Sequence, residues 1–321
     1  MMLDFHTLFK HKLSINLGRQ WSHAISPDGC VLITGGLEDR TIRVWDLQAG
    51  QQVRAWMVAE LFGQSDVDRI YSLTVSSDSK TLISGGSLIQ AWRIDSGKKI
   101  RTFKGGGWAN GLSFSPDMTI LATEFDKLVI WDFQTGKKIH KLPAVIAAPL
   151  IFTSDSQHLI SADYALYKTR PKSREYQIKV WDLKIGIVLR TLENTGISTV
   201  IWGLTLSSDE RLLAGGKIGG IWIWNFETGQ QIQKIDKFKN VHFHQHFDTV
   251  YSLIFSPDNK TLLSTGTDGL IQAWDVDTGR HIGTIQGQNN IFRISMSKDS
   301  QTLVGIGGNG HDMTAEVWRR G

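Results

Sequence analysis

Tyr251 to Asp275 reads YSLIFSPDNKTLLSTGTDGLIQAWD, and its punctuation decides the fold. An apolar run, Tyr251 to Phe255, stops at Ser256-Pro257-Asp258-Asn259. Such residues favour a reversal, because proline presets φ and Asp and Asn side chains bond the local backbone. Thr261 to Ser264, Leu270 to Trp274 and, past Gly279, Arg280 to Ile285 are three further strand-like runs. A lone sheet of four short strands cannot bury both of its faces.

The phrase repeats. Trp45, Trp92, Trp131, Trp181, Trp224, Trp274 and Trp318 stand in similar contexts, at gaps of 47, 39, 50, 43, 50 and 44 residues. Six are followed five positions later by a glycine, Gly50, Gly97, Gly136, Gly186, Gly229 and Gly279, which supplies the positive φ of a tight hairpin. Upstream, Ser26-Pro27-Asp28-Gly29 recurs at Ser115-Pro116-Asp117 and Ser256-Pro257-Asp258, with weaker copies at Asp78, Asp155, Asp209 and Asp299. A leucine follows each aspartate by four: Leu32, Leu82, Leu121, Leu159, Leu213, Leu262 and Leu303. Seven four-stranded units arranged radially cover one another's faces, so the period predicts an all-β, seven-bladed β-propeller of antiparallel blades. The units fall at about 17–57, 70–105, 108–142, 146–192, 200–235, 249–286 and 290–320. The last unit ends almost at its tryptophan, and the spare strand-like segment Phe5 to Ile15 is expected to complete it, closing the ring and removing sheet edges.

The Trp-Asp endings at Asp46, Asp132, Asp182 and Asp275 and the Ser-Pro-Asp turns resemble the WD40 repeat family over nearly the whole chain. Runs such as Phe255 to Leu262 are similar in style to those of bacterial, especially cyanobacterial, WD proteins. The Gly-His pair typical of the family is mostly missing. The resemblance maps its hydrogen-bonded tetrad onto His246, Ser264, Asp268 and Trp274, with partial sets at Thr34, Asp39 and Trp45 and at Asp312 and Trp318.

Bulk properties narrow the function. The 321 residues are 41 % apolar and 21 % charged, with formal net charge +4 and pI near 9.0. That basicity is too weak to imply nucleic acid unless the cations are concentrated on one face. No apolar stretch approaches the length needed to cross a bilayer, and Met1 to Gln20 has no signal-peptide core, so a cytoplasmic protein is expected. Cys30 is the only cysteine and excludes an intrachain disulfide; it reads as a packed thiol rather than a nucleophile. Gly215-Gly216-Lys217 lacks the hydroxyl of a phosphate-binding loop, and no Gly-x-Ser-x-Gly elbow occurs. The repeating aspartates follow the blades, whereas a one-off active site would break the repeat. No enzyme and no cofactor are expected.

Variation in spacing points to the binding side. The turns between first and second and between third and fourth strands are constant, and in a meander they share one face of the disc. The other two connections, on the opposite face, carry the length variation. Val58 to Asp68 is acidic, with Glu60, Asp66 and Asp68; Asp163 to Tyr176 enlarges a hairpin and holds Lys168, Arg170, Lys172 and Arg174; Lys237 to His246 carries Lys237, Lys239, His242 and His244. Smaller departures occur at Gly307 to Met313 and near Gly86 and Phe125. Loops on a rigid scaffold commonly carry binding, so the partner-binding surface is expected there, although tolerated surface insertions would look the same. Trp56 and Trp108 are either aromatic anchors or seam packing, and Trp21, Trp202 and Trp222 read as packing within strands. His242, His244 and His246 share one side of an extended strand and either approach a zinc geometry or pack, with His246 as the blade histidine. The basic hairpin grips phosphate or lies solvated. A mixed-sign face suits a protein partner, as one subunit of a larger complex; a nucleic-acid-binding propeller using the hairpin is the alternative. The family resemblance likewise implies a non-catalytic interaction scaffold.

Overall fold

The computed structural model describes residues 9–36, 38–58, 69–104, 109, 111–124, 127–143, 149–166, 174–192, 200–235, 249–308 and 312–321; the side chains of 21, 163–166 and 174–176 are left out of the description. Among the described residues every regular element is a strand. Blade one is β2 (Gln20–Ile25), β3 (Val31–Gly36), β4 (Thr41–Asp46) and β5 (Gln51–Met57). Blade two is β6 (Ser72–Val75), β7 (Thr81–Gly85), β8 (Ile89–Arg93) and β9 (Lys99–Phe103), and blade three is β10 (Gly111–Phe114), β11 (Ile120–Glu124), β12 (Leu128–Asp132) and β13 (Lys138–Leu142). Blade four holds β14 (Leu150–Phe152), β15 (His158–Leu166), β16 (Arg174–Asp182) and β17 (Ile187–Thr191). Blade five holds β18 (Gly203–Leu206), β19 (Leu212–Lys217), β20 (Gly220–Asn225) and β21 (Gln231–Ile235), and blade six β22 (Val250–Phe255), β23 (Thr261–Gly266), β24 (Ile271–Asp275) and β25 (His281–Ile285).

Blade seven is assembled from both ends of the chain: β26 (Ile291–Met296), β27 (Thr302–Gly308) and β28 (Met313–Arg320) receive β1 (Phe9–Gly18) as outermost strand. β1 runs antiparallel to β28, from Phe9 opposite Arg320 to Gly18 opposite Met313. The expected closure is therefore present, and the strand reaches past Ile15. Each inner strand neighbours that of the next blade, and β26 meets β2, completing the circle.

The sequence landmarks each have a structural task. In all seven units a Ser or Thr hydroxyl donates to the aspartate two residues on, as Ser115 Oγ does to Asp117 at 2.6 Å. That carboxylate then accepts a backbone N–H two residues further, Thr119 N at 3.0 Å in blade three. The residue between them is left-handed, with φ from 57° to 68°: Gly29, Ser79, Met118, Ser156, Glu210, Asn259 and Ser300. Only the first is glycine, and a Cβ on Gly29 would lie 2.6 Å from Ser297 Cβ across the closing seam.

The core is a set of apolar seams, one between each pair of adjacent blades. The repeated tryptophans are buried in them. In five blades the indole Nε1 donates to a buried hydroxyl two residues beyond the repeated leucine: Thr34, Ser84, Thr123, Ser161 or Ser264, at 2.8 to 3.0 Å. In blades five and seven that position is Gly215 or Gly305, against which the rings of Trp224 and Trp318 pack.

Candidate docking surface

The first strand of every blade begins on the face that receives the connection from the preceding blade, the face of variable spacing. At or just before its start, eleven residues ahead of the repeated leucine, stand Trp21, Tyr71, Asn110, Ala148, Trp202, Tyr251 and Phe292. Five of these seven are aromatic, and the structure brings three consecutive ones into a row. Trp202 and Tyr251 meet edge-on with ring centroids 6.2 Å apart, and Tyr251 and Phe292 at 6.3 Å. Trp202 is 52 % exposed, so its assignment to strand packing is corrected: it precedes β18 and its indole stands in solvent at the mouth of the channel. The constant offset of eleven was the signal that could have found the row. Trp222, by contrast, is buried as expected.

Beside this rim, where blades seven and one meet, stand Arg293 and His23. Arg293, next to Phe292, keeps an exposed surface while the protein crowds it enough to lower its pKa. His23 faces it from blade one; burial first, then the arginine's charge, pushes that imidazole down to about 3. Its Nδ1 is buried without a hydrogen-bond partner among the described residues. Near the same face of blade five, Lys217 Nζ is buried 4.0 Å from the Trp222 ring and pushed down to about 8, by burial and then by Lys234.

The other anticipated residues divide. Glu60, Asp66, Asp68, Trp108, Lys168, Arg170, Lys172, Lys237, Lys239, His242, His244 and His246 lie outside the described residues, as does the Arg174 side chain. Trp56 sits in the seam between blades one and two, 6.1 Å from the Trp92 ring and against Gly97. In blade six Trp274 bonds Ser264, while Asp268 accepts Gln272 Nε2 at 2.6 Å. The equivalent Asp39 accepts Arg43 at 2.6 Å in blade one. Asp46, Asp132, Asp182 and Asp275 accept backbone N–H groups of their own turns, consistent with a repeated structural role. Cys30, expected to be packed, is exposed; partial burial and then the Asp28 carboxylate raise its pKa and disfavour the thiolate. Among the described residues no group of three His, Cys, Asp or Glu is placed to hold a metal, and no helix is long and apolar enough to cross a membrane.

Comparison with known proteins finds WD-repeat sequences. The WD40 family model, "WD domain, G-beta repeat", matches residues 5–46 and 238–275. The chain is 26 % identical to Autophagy-related protein 16 of Arabidopsis thaliana over 71 % of its own length and 42 % of that protein's. It is 27 % identical to human Apoptotic protease-activating factor 1 over 74 % of its length and 18 % of the relative's. With the Gallus gallus Serine-threonine kinase receptor-associated protein the identity is 21 % over 83 % of this chain and 69 % of that one. The chain thus spans less than half of the first two of these relatives. Two stretches that match the WD40 repeat model thus lie within a ring of seven like-built blades, a seven-bladed propeller similar to those of WD-repeat proteins.

Proposed function

We propose that the chain is a non-catalytic scaffold that docks protein partners on the face of variable connections, around the mouth of the channel. The observation that carries this reading is the aromatic row Trp202, Tyr251 and Phe292, with its outermost indole half exposed on a closed ring. Large aromatics combine apolar area with few rotatable bonds, and they dominate the energetics of protein interfaces. The relatives support the reading: one is named as receptor-associated, and in the Arabidopsis and human relatives the matched region is a minor part of a longer protein. A mixed-charge rim, with Arg19 paired to Glu38 at 2.8 Å and Arg43 to Asp39 at 2.6 Å, offers complementary polar contacts to a protein surface.

Affinity capture with chemical cross-linking tests it. Cross-links should map to residues of the variable face, and Trp202→Ala should weaken capture of the same partner by about tenfold or more, as for a hot-spot anchor, without lowering the melting temperature. Cross-links confined to the opposite face, or capture indifferent to Trp202→Ala, would overturn the proposal.

A further inference from the structure

Blade four breaks the repeat on its outer edge. The two residues that follow the turn between third and fourth strands are Gln51 and Gln52, Lys98 and Lys99, Lys137 and Lys138, Gln230 and Gln231, or Arg280 and His281 in the other continuous blades. In blade four they are Ile187 and Val188, preceded by Ile185 and followed by Leu189, and all four side chains are exposed, Ile187 at 51 %. Lysine and other polar residues on an edge strand discourage pairing with foreign chains; here they are replaced by β-branched aliphatics, and β17 is the last strand of its sheet.

Beside this edge a cleft of about 850 Å³ opens between blades four and five, on the face of constant turns. Val180, Leu189 and Phe226 form its apolar wall, and Asp155, Asp209, Glu210 and Glu227 bring carboxylates to it. The cations present are already engaged. Arg190 lies 4.9 Å over the Phe226 ring and donates to the Glu227 carbonyl, Arg211 sits 3.9 Å from Asp209, and His158 lies 3.3 Å from Asp155. Four carboxylates against two guanidinium groups and one imidazole leave the cleft acidic.

We infer that an extended segment of a partner protein adds to β17 as a fifth strand of blade four, with alternate aliphatic side chains over Ile187 and Leu189 and a lysine or arginine directed into the acidic cleft. Strand addition uses the edge's own backbone groups for affinity and the adjoining pocket for selectivity. A second copy of this chain fits poorly, because edge-to-edge pairing would bring two acidic clefts together and the basic residue of β17, Arg190, is already held by its neighbour blade. This surface is separate from the channel mouth.

The test is selection of a random peptide library, displayed on phage, against the full chain. Enriched sequences should share alternating aliphatic residues and a Lys or Arg. The corresponding synthetic peptide should bind about tenfold more weakly to the Ile187→Lys/Val188→Lys variant, which restores residues found in blades two and three, and several-fold more weakly to Glu227→Gln, while Trp202→Ala binds it as the parent chain does. The inference is overturned by a selection that enriches nothing, by consensus peptides lacking a basic residue, by equal affinity for the lysine variant, or by sedimentation showing a dimer that this variant splits.

Discussion

Removing residues 1–18 should open the ring, and moving them to the other end of the chain should close it again. The deletion strips β1 from β28. Ile15 and Leu17 are both almost fully buried in the seam between blades seven and one. At about 1.5–3 kcal/mol each, their burial alone contributes about 3–6 kcal/mol. Leu13 against Gly50 and the lost ladder hydrogen bonds add to that. The sum is comparable to the entire net stability of about 5–15 kcal/mol expected for a folded protein. The deletion also bares Trp318, Val317 and the long edge of β28, a template for aggregation. Loss of a cooperative melt, or its displacement to much lower temperature, is therefore expected by differential scanning calorimetry. The converse follows from register: Phe9 lies opposite Arg320, so residues 9–18 joined after Gly321 by a short glycine-containing turn would make blade seven continuous, as blades one to six already are. That permutant should recover the parental melt, and Leu17→Ala in the unpermuted chain should cost about 2–5 kcal/mol. A deletion protein that melts like the parent, or a permutant as unstable as the deletion, would refute closure by β1.

Three further outcomes are expected. Thr123→Val removes the acceptor 2.8 Å from the Trp131 indole while keeping its volume, and should cost about 1–3 kcal/mol in urea unfolding because a buried N–H is left unpaired; adding Trp131→Phe should recover part of that cost if the pair is coupled. Met118→Gly relieves a left-handed side chain at φ 61° and should leave stability unchanged or raise it by up to about 1 kcal/mol, whereas Gly29→Ala should destabilise, since its added Cβ meets Ser297. His23, with a folded pKa of about 3 against an ordinary 6.5, contributes stability that is present above pH 6.5 and is lost as pH falls toward 3; His23→Leu, the residue at the matching position of blades two to six, should flatten urea midpoints between pH 6.5 and 4.5.

The fold was legible because its determinants are local and repeated. Aspartate turns and tryptophan–hydroxyl bonds occur within single blades, at fixed offsets, so spacing alone exposed them. The turn aspartates show the same regularity in their electrostatics. Asp209, Asp258 and Asp299 are held below the usual carboxylate range first by the Ser hydroxyl; at Asp28, Asp78, Asp117 and Asp155 burial is the largest influence and opposes this, but the combined hydrogen bonds prevail. The docking surfaces were less legible because exposure is a tertiary quantity. Trp202 and Trp222 are both tryptophans next to apolar residues, yet one stands beyond the first residue of β18 and the other packs within the seam under Lys217. Ile187 and Val188 likewise read as ordinary strand residues until the sheet order makes β17 an edge.

Hydrogen bonds between blades fasten the seams at different places. Outer strands reach across to the next blade: Arg54 donates to Ile94 O at 2.8 Å, Arg101 to Gln134 O and Thr135 O at 2.5 and 2.9 Å, His140 Nε2 lies 2.8 Å from Leu183 O, Arg190 donates to Glu227 O, and the Gln233 amide, with its nitrogen turned toward Val276 O, does so at 2.6 Å. All five side chains stand nine residues after a repeated tryptophan. In blade six that position is Gly283, which has no side chain to extend. The turns of the constant face add further ties: Lys298 N donates to Pro27 O at 2.9 Å and Ser208 N to Asn259 Oδ1 at 2.9 Å, linking blade seven to one and five to six. Blades six and seven are instead joined near the channel and the variable face, by Thr265 Oγ1 donating to Phe292 O at 2.8 Å and Ile291 N to Gly269 O at 2.9 Å. That seam is pinned at the rim that carries Tyr251 and Phe292, and toward its periphery Phe9 and Ile282 pack against its apolar core. Those two bonds hold Tyr251 and Phe292 in register across the seam, which is the preorganisation that the proposed docking surface requires.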